Sequence, residues 1–249
     1  MGRWTRGELI AYNITISSLL PDEFFLVPNG PDPSLDHIEP AVLNSPPGDN
    51  NSAISSAAVT FLDHLHIAQR APVGDFAAQT LRLLDFDNRD VIVFRCLPIP
   101  LTIHGNRKLV QADVCLLHHT SLILLVLIVD KAVNSEPQVV ASAIGAFQSN
   151  NQRRKELQLA LLDSMTIPCI SMTGTHPTFY LVPVTTQLSD AVTSGQYPTT
   201  QTQVLQCATV APRPSIGMED LNYRRLALKH FLAFKALAQN HMSHIVDGV

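Results

Sequence analysis

Leu122 to Val129 is an unbroken apolar run, LILLVLIV, that stops abruptly at Asp130-Lys131. No other stretch limits the possible folds as strongly. Successive residues of a strand point to opposite faces, so a run apolar on both faces marks a central strand covered by helices on each side. The run is far too short to cross a bilayer, which takes roughly 20 apolar residues. A charged pair ending a buried strand is costly to desolvate, so it needs a partner or a task.

The flanking sequence supplies that strand's neighbours. Leu109–Leu117 reads as a second strand with one acid in it, Asp113, and Val91–Leu97 as a third. The third can run on past Pro98 and Pro100 as an irregular edge segment, with Gly105-Asn106 as the hairpin turn. An alanine-rich helix follows from Pro137 to Leu162, with Val140, Ile144, Phe147 and Leu157 on its buried stripe and Met165–Pro168 as its break. Cys169–Gly174 and Thr178–Val184 are two further strands, and Asp190–Tyr197 is a short helix closed by Gly195. Thr199–Pro214 is polar and bounded by prolines, which reads as a surface connection, and Asp220–Ala238 is a final helix. Upstream, Ser52–Gln69 is helical, and Pro72 opens a helix reaching about Leu84 with Asp75 in its first turn.

Residues 1–55 are punctuated by seven prolines and read as a partly irregular, Pro-rich N-terminal extension, leaving 56–249 as the domain. The order of elements gives an α/β (α+β) layer fold, a mixed central sheet of about five strands flanked by helices.

Hydrophobic residues make up 46% of the chain, which excludes wholesale disorder. The formal net charge of −4 offers no global attraction for nucleic acid, so any such binding needs a local basic face. Arg153, Arg154 and Lys155, together with Arg224, Arg225 and Lys229, are the candidates for one. Cys96, Cys115, Cys169 and Cys207 form no CxxC pair and read as buried free thiols in a reducing compartment. With no apolar segment of signal-peptide or membrane-spanning length, the expected location is intracellular, in cytoplasm or nucleus.

Asp113 in QADV, Asp130-Lys131 in IVDK and the helix EPQVVASAIGAFQSNN, in that order and spacing, resemble the PD-(D/E)XK nuclease-like superfamily. TGTHPTFYLVPVT and LNYRRLALKHFLAFKAL extend the resemblance to roughly residues 70–238, most closely to a fungal nuclease-like group. The resemblance implies a restriction-endonuclease-like fold and Mg²⁺- or Mn²⁺-dependent hydrolysis of phosphodiester bonds, in DNA as the expected substrate. Carried over, Asp113 matches the second-strand acid, Lys131 the lysine that orients water and stabilises phosphate charge, and Gln148 a glutamine of the following helix. Asp75 corresponds to a first-helix acid. A hard cation wants oxygen ligands and can activate one bound water.

One position departs from the pattern. Two before Lys131 stands Val129, where the family has an acid, and Asp130 is its neighbour. On a regular strand Val129 and Lys131 share a face and Asp130 looks away. A bulge re-aiming Asp130, or Glu136 reaching in from the helix, would restore the second metal ligand. Failing both, the fold binds without cutting.

Overall fold

The computed structural model describes residues 4–25, 33–49, 54–68, 73–130 and 135–249. Among these the elements are α1 (Arg6–Ala11), β1 (Ile14–Ser18), α2 (Pro21–Phe24), α3 (Pro40–Asn44), α4 (Ser56–Ala68) and α5 (Gly74–Leu83). There follow β2 (Val91–Ile103), β3 (Asn106–His118), β4 (Ile123–Asp130), α6 (Glu136–Glu156), β5 (Ser164–Thr173) and β6 (His176–Thr185). α7 (Thr186–Ser194), β7 (Thr202–Ala208) and α8 (Leu221–Ile245) complete the chain.

The strands form one mixed sheet in the order β1-β7-β6-β5-β4-β3-β2. β4 runs parallel to β5, with α6 as the crossover between them, and β1 runs parallel to β7. The remaining neighbours are antiparallel. The apolar run is the sheet's middle: Leu122 to Ile128 are all buried. Its two faces are covered by different helices. On β6, Tyr180 points to the head of α6, where it bonds the Ser135 side chain. Phe179, the preceding residue, packs on Phe231 and Phe234 of α8 with ring centroids 5.2 and 4.9 Å away.

The sheet has seven strands where about five are expected, and both extra strands lie at one edge. β7 arises from the stretch read as a surface connection. Only Val204 and Cys207 of its residues are buried, so it lacks a strong apolar pattern. β1 comes from the N-terminal extension and is tied to β7 by its ladder and by two amide–hydroxyl bonds, Gln203–Ser17 at 2.9 Å and Gln206–Ser18 at 2.8 Å. Met165–Pro168 is not a break but part of β5. The β4 ladder begins only at Cys169, so the missing N–H of Pro168 takes no bond from it. Two-residue hairpin closure falls at His104-Gly105, φ 50° and 69°, a type I′ pattern one residue earlier than expected. Of the cysteines, Cys115, Cys169 and Cys207 are buried free thiols, but Cys96 is exposed. Burial pushes the Cys115 thiol up to about 12. Among the described residues no helix is long and apolar enough to cross a membrane.

Much of the N-terminal segment belongs to the packed body. Leu9, Tyr12, Ile14, Phe24, Phe25, Ile38 and Val42 are all buried in the common core. Two neighbouring arginines fasten α3 to the last helix, and Arg224 does most of it. Arg224 is fully buried and donates from Nη1 to the carbonyls of Val42 (2.8 Å) and Ser45 (2.7 Å), and from Nε to that of Met218 (2.7 Å). Beside it Arg225 donates to Asn44 Oδ1. Burial lowers the Arg224 pKa to about 10, still well above neutral, so the guanidinium stays charged. Arg224→Ala should therefore cost about 3 kcal/mol in a urea titration, and Arg224→Lys nearly as much, because one ammonium cannot replace the planar fork. Loss of less than about 0.5 kcal/mol in both variants would refute the fastening role.

Candidate functional site

The β2–β3 hairpin carries an irregularity that positions Asp113. At its base the His119 N–H donates to the Asp90 carbonyl (2.8 Å), making that facing pair a hydrogen-bonded one. At its tip the residues flanking the two-residue turn, Ile103 and Asn106, form another. Hydrogen-bonded pairs recur every second residue, yet Asp90 and Ile103 are an odd number of residues apart. The alternation must slip once while the register stays constant. It slips at Cys96, whose φ is 55° and which, with Asp113 opposite, is the only pair missing from the ladder. The base of β2 then lies against α5, where Arg95 pairs with Asp75, and the distal half lies against α6.

At that slip β3 separates from β4. Their ladder ends at Val114–Leu127, and the half-buried Asp113 carboxylate bridges the gap, its Oδ2 accepting the Val129 N–H at 2.8 Å. The acid thus stands at the carboxyl end of β4, and it stands in for a missing ladder carbonyl. Val129 itself is a partly buried apolar residue packed against the core. Asp130 is placed by its backbone, opposite Thr173 of β5, and Lys131 lies outside the described residues.

The head of α6 sits over the same end of the sheet. Ser135 occupies its N-cap without capping it. Its side chain bonds the buried Tyr180 hydroxyl, which also lies 3.4 Å from Ser171 Oγ, with Glu136 nearby. Burial, ahead of all other influences, raises the Tyr180 pKa and keeps the phenol protonated. Tyr180 was not a candidate from the sequence; its signal is a phenol inside the apolar strand TFYLVPV, which needs a partner for its hydroxyl.

Other candidates stand elsewhere. Gln148 is a structural clamp: its Oε1 accepts the Thr102 N–H (2.8 Å), and its Nε2 donates to the Thr102 carbonyl, Ser189 Oγ and Thr193 Oγ1, each at 3.3 Å. Thr102 pairs with Arg107, six residues from Asp113 along β3, which puts Gln148 roughly 20 Å from that carboxylate. Asp75 is taken up by Arg95 at the hairpin base. Among the described residues no group of three His, Cys, Asp or Glu side chains is placed to hold a metal ion.

The candidate basic face also divides. Arg154 is buried and donates to the carbonyls of Ala160, Ile245 and Asp247, and Arg224 is spent on α3. Arg153 donates to Thr120 O (2.8 Å) and Glu156 (3.0 Å). Arg153 and Lys155 line an open groove of about 950 Å³ with Arg107, but Glu156, Asp163 and Asp190 line it too.

Compared with known proteins, the chain matches no protein-family model and no curated protein.

The Asp113 contact can be tested by substitution. Asp113→Asn keeps an acceptor for the Val129 amide and should lose under about 1 kcal/mol of stability, whereas Asp113→Ala should lose about 2 kcal/mol. Equal losses in chemical denaturation would show that the amide bond does not decide the effect.

Proposed function

We propose that this chain is a PD-(D/E)XK nuclease-like protein whose metal centre lacks its second carboxylate, so that it works as a binding module and not as a nuclease. The observation that supports this most is the pairing of Asp113 with the end of β4. Asp113 is drawn to the carboxyl end of β4, where the IVDK motif passes out of the described residues, and the backbone it grips is that of Val129, an apolar residue where the resemblance puts the second acid. One oxygen of Asp113 is already an acceptor for that amide, and among the described residues no group of three His, Cys, Asp or Glu side chains gathers to hold a divalent cation. The described donor set therefore does not fit Mg²⁺ or Mn²⁺. The partner class follows from charge: the groove holding Arg153 and Lys155 balances three cations with three acids, which favours a protein surface over a phosphate backbone.

A second reading keeps catalysis. Glu136 opens α6 at the carboxyl ends of β4 and β5, close enough to influence Tyr180, and would serve as the missing ligand beside Asp113, with Asp130 as the alternative. Lys131 would then be the catalytic lysine in a Mg²⁺-dependent cleavage of DNA.

Calorimetry with Mn²⁺ near neutral pH and a plasmid cleavage assay separate the two. The binding-module reading expects neither metal binding nor cleavage from the native protein, and both from Val129→Glu. Metal-dependent cleavage by the native chain that disappears in Lys131→Ala would establish the second reading instead.

A further inference from the structure

The turn between β3 and β4 holds two histidines that the site at the end of β4 does not use. The rings of His118 and His119 are in tilted contact, with centroids 4.0 Å apart and planes 48° apart. His118 is partly buried and lines a cavity of about 260 Å³ between the base of β2 and α8. Its Nδ1 lies 2.7 Å from Thr120 Oγ1 and 3.4 Å from the Thr120 backbone nitrogen. A backbone amide can only donate, so Nδ1 must present its lone pair and the ring must be the neutral Nε2–H tautomer. The turn is held from its other side by α6, where Arg153 donates to the Thr120 carbonyl at 2.8 Å.

The charges around the ring come from four directions. The His119 ring touches it at a tilt, and Asp90 just before β2 lies 3.9 Å from His119. Asp85, following α5, and Lys235 of α8 share its cavity wall, and Arg153 of α6 grips the same turn. Burial holds the His118 pKa below its ordinary value of 6.5, His119 lowers it further and Asp90 opposes them.

We infer that the β3–β4 turn is a proton-operated latch, closed on neutral His118 and released when Nδ1 takes up a proton. A proton on Nδ1 removes the acceptor that the Thr120 amide and hydroxyl share. It also adds a positive charge beside Arg153 and Lys235. The imidazole swings out, Thr120 turns to water, and the mouth of the cavity opens. The folded-state pKa lies below the unfolded one, so the latch contributes fully above about pH 6.5 and is lost as pH falls through the lower, folded value.

The test is NMR on the intact chain between pH 7.5 and 5. Ring ¹⁵N shifts should show the Nε2–H tautomer of His118 at neutral pH. The protection factor of the Thr120 amide should fall roughly tenfold per pH unit below the His118 midpoint, while that of Ile123 stays constant. His118→Gln, whose side-chain oxygen accepts at every pH, should flatten the Thr120 profile. An Nδ1–H tautomer in the native protein, or the same pH profile in His118→Gln, would overturn the latch.

Discussion

A row of carboxamides on α6 holds the layers of this protein in register. Gln148 pairs with both the N–H and the C=O of Thr102, Asn150 does the same with Ile123, and Asn151 with Leu162. Each amide offers a donor and an acceptor spaced like those of a neighbouring strand, so each satisfies one residue's backbone where no strand lies beside it. The free edge of β2, the start of β4 and the approach to β5 are thereby tied to one helix. Since α6 is also the crossover between the parallel strands, its position fixes where the carboxyl ends of β4 and β5 meet its own head. The arrangement of Asp113, Val129, Ser135 and Tyr180 is a consequence.

The same constraint explains the long edge strand β2, which would otherwise offer an open ladder. Its distal half presents Pro98 and Pro100, which have no N–H, and Thr102, which Gln148 occupies. Its base is closed by Asn88 on Val91 and by Arg82 on the Val93 carbonyl. The slip at Cys96 lets the two halves face different helices, and a non-glycine residue at φ 55° is the local strain that this change of partner entails. Asp113 is then a carboxylate with a structural duty, at the position where the proposed nuclease relationship would put a catalytic one.

What could be read from the residues follows from burial. β4 and α6 were legible because a strand apolar on both faces and a long alanine-rich helix leave few alternatives, although α6 is buried all round from Val139 to Phe147 and not along one stripe. β1 and β7 were not, because an edge pair buries few side chains and both ITISS and TQVLQCA mix three polar residues in among the apolar ones. Arg154 and Arg224 follow the same logic in reverse. Charged residues on helices default to solvent, and only the coordinates reveal unpaired helix-end carbonyls gathered around a guanidinium. Gln148 shows the limit for the site: a side-chain amide near a presumed metal and one clamping a strand edge look alike in sequence. The neighbourhood of Asp113 and the end of β4 was legible from element order, but the amide bond between them depends on a slip that no residue pattern announces.

The pairing of β1 with β7 has a consequence for how this protein is made. Ile14 lies opposite Thr202, so β1 has no partner until β7, far along the chain, has left the ribosome. Contacts spanning so much sequence are slow to close. During translation the ITISS edge remains uncovered until β7 emerges, and Phe24 and Phe25 lack their partners on α8 until that helix follows. Nascent chains of this protein are therefore most prone to self-association in the interval before β7 and α8 are released.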